Sequence, residues 1–244
     1  LTATQCGIPL HTPSHRNSMR GAQQFLPSAT CVGDLLSSRG YYLSFLGGAS
    51  TEFSGKGNMM KSHGFDEVLG LQELLTKNDD PDYKTGWGLF DDTLLDLMYS
   101  RFLELSKSEK NFALFGLTLD THAPWLASKS CDGLKYQDGS NKMLNAVACS
   151  DYLISNLVKK IESSRFANNT IIVVASDHLA MNNSEWEKLE IVDRKNMLMI
   201  IDPSNLQSEK ITRLGSTLDV APTILSRIGM SLDLGLGRDL LNET

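Results

Sequence analysis

Two apolar runs in this sequence each end in an acid followed closely by a histidine. Phe112–Leu119 leads into Asp120-Thr121-His122, and Thr170–Ala175 leads into Ser176-Asp177-His178. A third run, Tyr41–Leu46, ends in Gly47-Gly48-Ala49-Ser50, with Lys56 in the loop beyond it. A carboxylate beside an imidazole suits Zn²⁺ or Mn²⁺, whereas Ca²⁺ takes oxygen ligands only. Asp177 and His178 are therefore candidate metal ligands, and at least two more must come from elsewhere to complete a site. His122 is a candidate catalytic group, and Lys56 a candidate cation for a phosphate. Each has a plainer alternative: a capping Asp beside a surface His for Asp177-His178, a structural histidine for His122, a solvated loop lysine for Lys56. His11, His15 and His63 have no comparable setting and read as surface residues.

These residues can converge only if the runs before them are strands of one sheet, because ligands of open α/β sheets bind outside the carboxyl ends of the strands. The elements between them fit that arrangement. Thr30 to Arg39 reads as a short helix closed by Gly40. The Gly-, Ser- and Lys-rich stretch Thr51–Gly64 reads as a long loop with one helical turn, and Asn78–Asp82 as another loop. Asp91 or Asp92 can cap a helix in which Leu94, Leu95, Met98, Phe102 and Leu105 recur at helical spacing. Asn141 to Ile161 carries a second long helical pattern. Asn196–Ile201 is a further strand, and Val220–Ile228 a final helix with Pro222 in its first turn. Strands that are apolar on both faces and alternate with helices predict an α/β fold: a mostly parallel central sheet with helices on both faces. Ser128–Asn141 is polar and reads as a surface excursion, so residues 1–244 are expected to form a single domain.

The 244 residues are enough for one domain with a sizeable core. A net charge of −6 excludes a bulk nucleic-acid binder, which carries a basic footprint. No apolar run approaches the roughly 18 residues of a membrane span. The four cysteines, Cys6, Cys31, Cys131 and Cys149, fall into two clusters and form no CxxC pair. They read as two disulfides, Cys6–Cys31 and Cys131–Cys149, implying an oxidising compartment. Four buried thiols are the alternative, and four cysteines allow three connectivities.

Several strings resemble the alkaline phosphatase/sulfatase superfamily. Ile171 to His178 resembles its metal-binding strand, Leu218 to Leu225 with Gly229 its "DLAPTLL…G" helix, and Gly235 to Leu240 its closing "GLGR-SL" segment. Gln5 to Leu10, Lys61 to Asp66, Gly86 to Asp92, Asp120 to Pro124 and Ser176 to Asn183 resemble the phosphoglycerol transferase I branch. The similarity runs from about Thr4 to Leu240. The resemblance implies a divalent metal, Mn²⁺ first with Zn²⁺ or Mg²⁺ as alternatives, held in part by Asp177 and His178. It places His122 on the transferred group and Lys56 near a phosphate-binding arginine of the related lipoteichoic acid synthases. Those enzymes carry a substrate histidine where this chain has Gly47, and a tryptophan near Ser54.

The implied reaction moves phosphoglycerol from phosphatidylglycerol onto periplasmic glucans through a covalent phospho-threonine. The implied setting is the periplasm, with a tether in the bacterial inner membrane outside this chain. The family's nucleophilic threonine lies roughly a dozen residues before the proline corresponding to Pro9, and Thr2 and Thr4 fit that register poorly. The expectation is therefore that the nucleophile, an acidic ligand and the first strand precede this chain, and that the chain alone is inactive. Three other readings remain: a sulfatase, a phosphoethanolamine transferase, and a non-catalytic glucan-binding module. The sulfatase motif C/S-x-P-x-R is absent, since Ser14 is followed by His15 and Arg16 with Pro13 before it.

Overall fold

The computed structural model describes residues 1–10, 19, 24–78, 80–205 and 207–242. In chain order its elements are α1 (Thr2–Cys6), α2 (Val32–Ser38), β1 (Tyr42–Gly47), α3 (Lys56–Ser62), β2 (Glu67–Leu69), α4 (Leu71–Leu75), α5 (Asp91–Leu105), β3 (Phe112–Leu117), α6 (Lys142–Glu162), β4 (Ile172–Ala175), α7 (Trp186–Glu190), β5 (Leu198–Ile201) and α8 (Val220–Arg227). They belong to two compact units. The first comprises Leu1–Thr12, Ser28–Leu35 and Ala167–Thr244; the second comprises Pro13–Pro27 and Leu36–Phe166.

The second unit is built on a parallel sheet in the order β2-β1-β3. Tyr42 to Gly47 pairs residue by residue with Phe112 to Leu117, and Ser44 to Leu46 pairs with Glu67 to Leu69. β1 is the middle strand, and Leu43, Phe45 and Leu46 are buried, so apolar side chains are covered on both of its faces. On one face Leu46 packs with Leu74 of α4, Leu89, and Leu94 of α5. Ser44 on that face donates to Glu67 at 2.6 Å, and Arg101 of α5 donates to the same carboxylate at 2.8 Å. α6 starts where Asn141 caps it, its side chain accepting from the Leu144 N–H at 3.1 Å. Cys131 is joined to Cys149 of α6, and the pair packs against Leu95 and Leu153.

In the first unit β4 and β5 pair antiparallel, Ile172 opposite Ile201 and Ala175 opposite Leu198. The parallel arrangement expected of the strands thus holds for β1, β2 and β3, while this pair runs the other way. The unit's buried side chains come largely from α1, α8 and the closing segment, and Cys6 is joined to Cys31. Gly7 sits at φ 63°, and a Cβ there would run into the Leu234 carbonyl. The Leu236 N–H then donates to the Gly7 carbonyl at 2.7 Å. The motif residues of α8 hold the same segment. Buried Asp219 accepts from the N–H groups of Ser216 at 2.6 Å and Arg238 at 2.9 Å, and Thr223 accepts from the Leu240 N–H at 3.0 Å.

Three local expectations are corrected. Thr51–Gly64 holds a short 3₁₀ turn and the seven-residue helix α3, because Met59 and Met60 give it an apolar face that is buried. Asp91 and Asp92 do not cap α5: Phe90 occupies the cap position and both acids lie inside the first turn. His63 is buried, its Nε2 2.9 Å from the Phe25 carbonyl, and so is no surface residue. His11 and His15 lie outside the described residues.

Candidate active site

β1 and β3 are parallel neighbours, so the loops after them leave the same edge of the second unit's sheet. The loop after β1 turns through Ser54 and Gly55, both at positive φ, into α3, of which Lys56 is the first residue. Lys56 is 6% exposed, which is not the setting of the plainer alternative, a solvated loop lysine. Burial lowers its pKa to about 8. No carboxylate among the described residues forms an ion pair with it. Its Nζ lies 5.4 Å from the centre of the Phe53 ring, a cation–π distance.

Phe53 leads on to Trp87, edge to face at 5.5 Å, and Trp87 packs on the His122 imidazole at 4.4 Å. Trp87 is placed by a tight turn. Thr85 Oγ1 accepts from the Trp87 and Gly88 N–H groups at 3.0 and 3.1 Å, and the Leu89 N–H donates to the Gly48 carbonyl at the end of β1. A Cβ at Gly88 would strike that carbonyl, so the turn can press against β1 only with glycine there. Phe53 and Trp87 keep 52% and 37% of their surface exposed. Lys56, Phe53, Trp87 and His122 thus form one continuous track, partly open to solvent.

His122 is carried by the loop after β3. Its N–H donates to the Leu119 carbonyl at 2.9 Å, and its Nδ1 lies 2.9 Å from the Ala123 carbonyl. A carbonyl can only accept, so Nδ1 carries the proton and neutral His122 presents Nε2 as a free acceptor. Asp120, two residues earlier, points inward and is buried. Its carboxylate accepts from the Asp91 N–H at 3.1 Å and from Ser128 Oγ at 2.6 Å. Burial first, then the charge of Asp91, raises its pKa to about 7. Asp91 is likewise raised, chiefly by burial. The sequence reading took Asp120 as the acid beside His122 and passed over Asp91, Ser128, Phe53 and Trp87. Gly86-Trp87-Gly88 was the available signal for Trp87, since an aromatic between two glycines is held out on a turn.

In the first unit, Asp177 and His178 follow β4 after the single residue Ser176. The His178 N–H donates to Asp177 Oδ1 at 2.9 Å, and Nε2 lies 3.5 Å from Oδ2. His178 Nδ1 lies 2.8 Å from the Leu179 carbonyl, the same anchoring as in His122. That bond fixes the tautomer with Nε2 as the free lone pair, which is how a metal-ligating imidazole is oriented. One carboxylate and one oriented imidazole, both half exposed, are of the types that bind a divalent ion, but among the described residues no third His, Cys, Asp or Glu joins them to complete a site. Thr2 is buried in α1, and the Thr4 hydroxyl donates to the Leu1 carbonyl at 2.8 Å.

The sulfatase family model matches residues 6–230. The chain belongs to the sulfatase family. This sulfatase-family chain is 41% identical over 245 residues to phosphoglycerol transferase I of Citrobacter koseri, covering 99% of the chain and 32% of the relative. It spans about a third of the length of the curated relatives it matches. A protein of the alkaline phosphatase superfamily from Vibrio parahaemolyticus superposes with a TM-score of 0.78 at 26% identity, over 99% of this chain and 57% of that one. The lipoteichoic acid synthase LtaP from Listeria monocytogenes shares the fold, with a TM-score of 0.78 at 16% identity over 98% of this chain and 62% of LtaP. The fold is thus that of the alkaline phosphatase superfamily, α/β with a parallel sheet flanked by helices. No described helix is long and apolar enough to cross a membrane.

Proposed function

We propose that this chain is part of a metal-dependent phosphoglycerol transferase that moves phosphoglycerol from phosphatidylglycerol onto a periplasmic glucan, working outside the inner membrane to which the longer protein is tethered. The observation that carries the reading is the track from Lys56 to His122. It offers at one end a buried ammonium that pairs with no carboxylate among the described residues, and at the other an imidazole whose Nε2 can accept. A phosphodiester of glycerol supplies an anion for the ammonium and, on its glycerol, a hydroxyl that can donate to Nε2. The 41% identity with phosphoglycerol transferase I supports a phosphoglycerol donor, which this reading takes to be phosphatidylglycerol.

In this reading Asp177 and His178 contribute to holding a divalent ion, Mn²⁺ before Zn²⁺ or Mg²⁺. When bound, the ion acidifies the attacking hydroxyl and polarises the phosphoryl oxygens. The nucleophile is a threonine hydroxyl of the longer protein. Its oxygen bonds to phosphorus as the bond to diacylglycerol breaks, and diacylglycerol leaves with a proton. A glucan hydroxyl then attacks the phospho-threonine, restoring the threonine and giving its own proton up. Lys56 neutralises a non-bridging oxygen. His122 relays protons at Nε2: in the first step it takes the proton of the threonine hydroxyl and passes it to the leaving oxygen, and in the second it takes the proton of the glucan hydroxyl and returns it to the threonine oxygen. Two such half-reactions predict ping-pong kinetics.

The test is release of diacylglycerol from phosphatidylglycerol by the full-length protein with Mn²⁺, with and without an oligoglucoside acceptor. Transfer of label to the acceptor, lost in His122→Ala, is expected. Hydrolysis of sulfate esters without turnover of phosphatidylglycerol would sink the reading in favour of a sulfatase.

A further inference from the structure

The loop from Leu119 to Ser128 is fastened at both ends by buried carboxylates. At its start, Asp91 of α5 accepts from the N–H groups of Leu119 at 2.6 Å and Asp120 at 3.1 Å, and Ser150 of α6 donates to it at 3.1 Å. Asp120 in turn accepts from the Asp91 N–H. At the loop's end, buried Ser128 donates to Asp120 at 2.6 Å and accepts from the Asp92 N–H at 3.3 Å. The loop is therefore closed across its own base and seated on the first turn of α5. His122 lies inside that closure, as does the Trp125 N–H that donates to the His122 carbonyl at 2.9 Å.

Stability alone does not account for this arrangement. Asp120 Oδ1 is buried without a hydrogen-bond partner. Asp91, Asp92 and Tyr83 face the pair from α5 and the preceding loop and add no positive charge. An unpaired buried carboxylate oxygen beside a second acid is costly, and sites that keep such a cost are commonly functional.

We propose that Asp120 is a positioning residue: with Ser128 and Asp91 it latches the Leu119–Ser128 loop in the conformation that presents the His122 imidazole against Trp87. The role in turnover rests on the reading of His122 given above, whereas the latch itself does not. Opening it frees the loop's base and lets the imidazole leave the tryptophan face, without removing any group that touches the diester.

The experiment uses the full-length protein with Asp120→Asn, Ser128→Ala, His122→Ala and the double variant His122→Ala/Ser128→Ala. Amide exchange is followed by mass spectrometry in peptides covering 117–128, and kcat and KM are measured for phosphatidylglycerol. Ser128→Ala is expected to speed exchange in the loop at least tenfold while α5 and α6 stay protected. It should lower kcat about tenfold with KM within about twofold, and add nothing to the loss in His122→Ala. Ser128→Thr should restore both exchange and kcat. Unchanged exchange in Ser128→Ala overturns the latch, as does an equal further loss of kcat in the double variant. If Asp120→Asn fails to fold, Ser128→Ala still decides the matter. If His122→Ala turns over as wild type does, the catalytic reading fails, and the exchange result alone then judges the latch.

Discussion

Asp91 and Asp120 clasp each other: each carboxylate accepts the other's backbone N–H at 3.1 Å. The exchange ties the start of α5 to the loop after β3, at the expense of bringing two acids together out of water. Burial and mutual repulsion raise Asp120 from 3.8 to about 7. A carboxyl whose folded pKa exceeds its unfolded value binds more protons in the folded state between the two. Stability therefore falls as pH rises from about 4 to about 7. Asp120→Asn removes that titration. Its stability relative to wild type should improve across this window by on the order of 1–3 kcal/mol. Thermal unfolding at unit pH steps checks it; a difference that stays flat from pH 4 to pH 7 would show that Asp120 does not titrate there.

Lys56 gives the opposite charge and a different window. Burial lowers its pKa to about 8, so above that pH the free enzyme holds a neutral amine. Only the ammonium pairs with a phosphodiester. Affinity for glycerophosphoglycerol, a diester whose charge does not change in this range, should be level well below pH 8 and weaken above it. Lys56→Arg keeps its charge and should flatten that dependence, while Lys56→Met should bind roughly 10- to 100-fold more weakly at pH 7, the worth of one charged hydrogen bond. Titration calorimetry from pH 6 to pH 10 reads all three.

For the metal pair, the expected outcome is selective loss. His178→Ala and Asp177→Asn should each weaken Mn²⁺ binding by more than about tenfold in the full-length protein, and His122→Ala should leave it unchanged. Equal Mn²⁺ affinity in wild type and His178→Ala would remove His178 from the ligand set.

What could be read from the sequence follows the range of the interaction that decides it. β1 and β3 were legible because parallel buried strands write themselves as short apolar runs, and α6 because its apolar stripe and Asn141 cap are local. The antiparallel pairing of β4 with β5 was not, since Ile172–Ala175 would be apolar in either direction. Asp177 and His178 were legible as neighbours in the chain. The burial of Lys56 was not, because a short Gly- and Lys-rich stretch carries too few apolar residues to mark α3 as a helix with a buried face. Asp91 was misread for the same reason: an acid before an apolar helix is ordinarily a cap, and only the fold supplies the N–H groups of Leu119 and Asp120 that it takes instead.

The cysteine pairs Cys6–Cys31 and Cys131–Cys149 close loops with sequence separations of 25 and 18 residues. In the chain-entropy view each contributes about 3 kcal/mol. Mass mapping of a non-reduced digest of protein from an oxidising compartment should recover both cross-linked peptides. Cys149→Ser should lower stability by about that amount, and four alkylatable thiols would reject the assignment.

Asp219 joins two stretches that sequence alone shows only as separate motifs. Its Oδ2 accepts from the Ser216 N–H at 2.6 Å and the Ser216 hydroxyl at 3.2 Å, while Oδ1 accepts from the Arg238 N–H at 2.9 Å. One carboxylate thus caps the turn before α8 and holds the closing Gly235–Leu240 segment onto it. Thr223 repeats the device one turn later, on the Leu240 N–H. Asp219→Ala removes the acceptor of two part-buried N–H groups, those of Ser216 and Arg238. It should cost about 2–4 kcal/mol, more than Thr223→Val, which frees only one N–H. Asp219→Asn keeps one carbonyl acceptor and should fall between wild type and Asp219→Ala. Denaturant unfolding ranks the three variants, and amide exchange at Arg238 and Leu240 assigns each loss to its own bond. Arg238 and Leu240 both still protected in Asp219→Ala would show that the segment is held by Thr223 and not by Asp219.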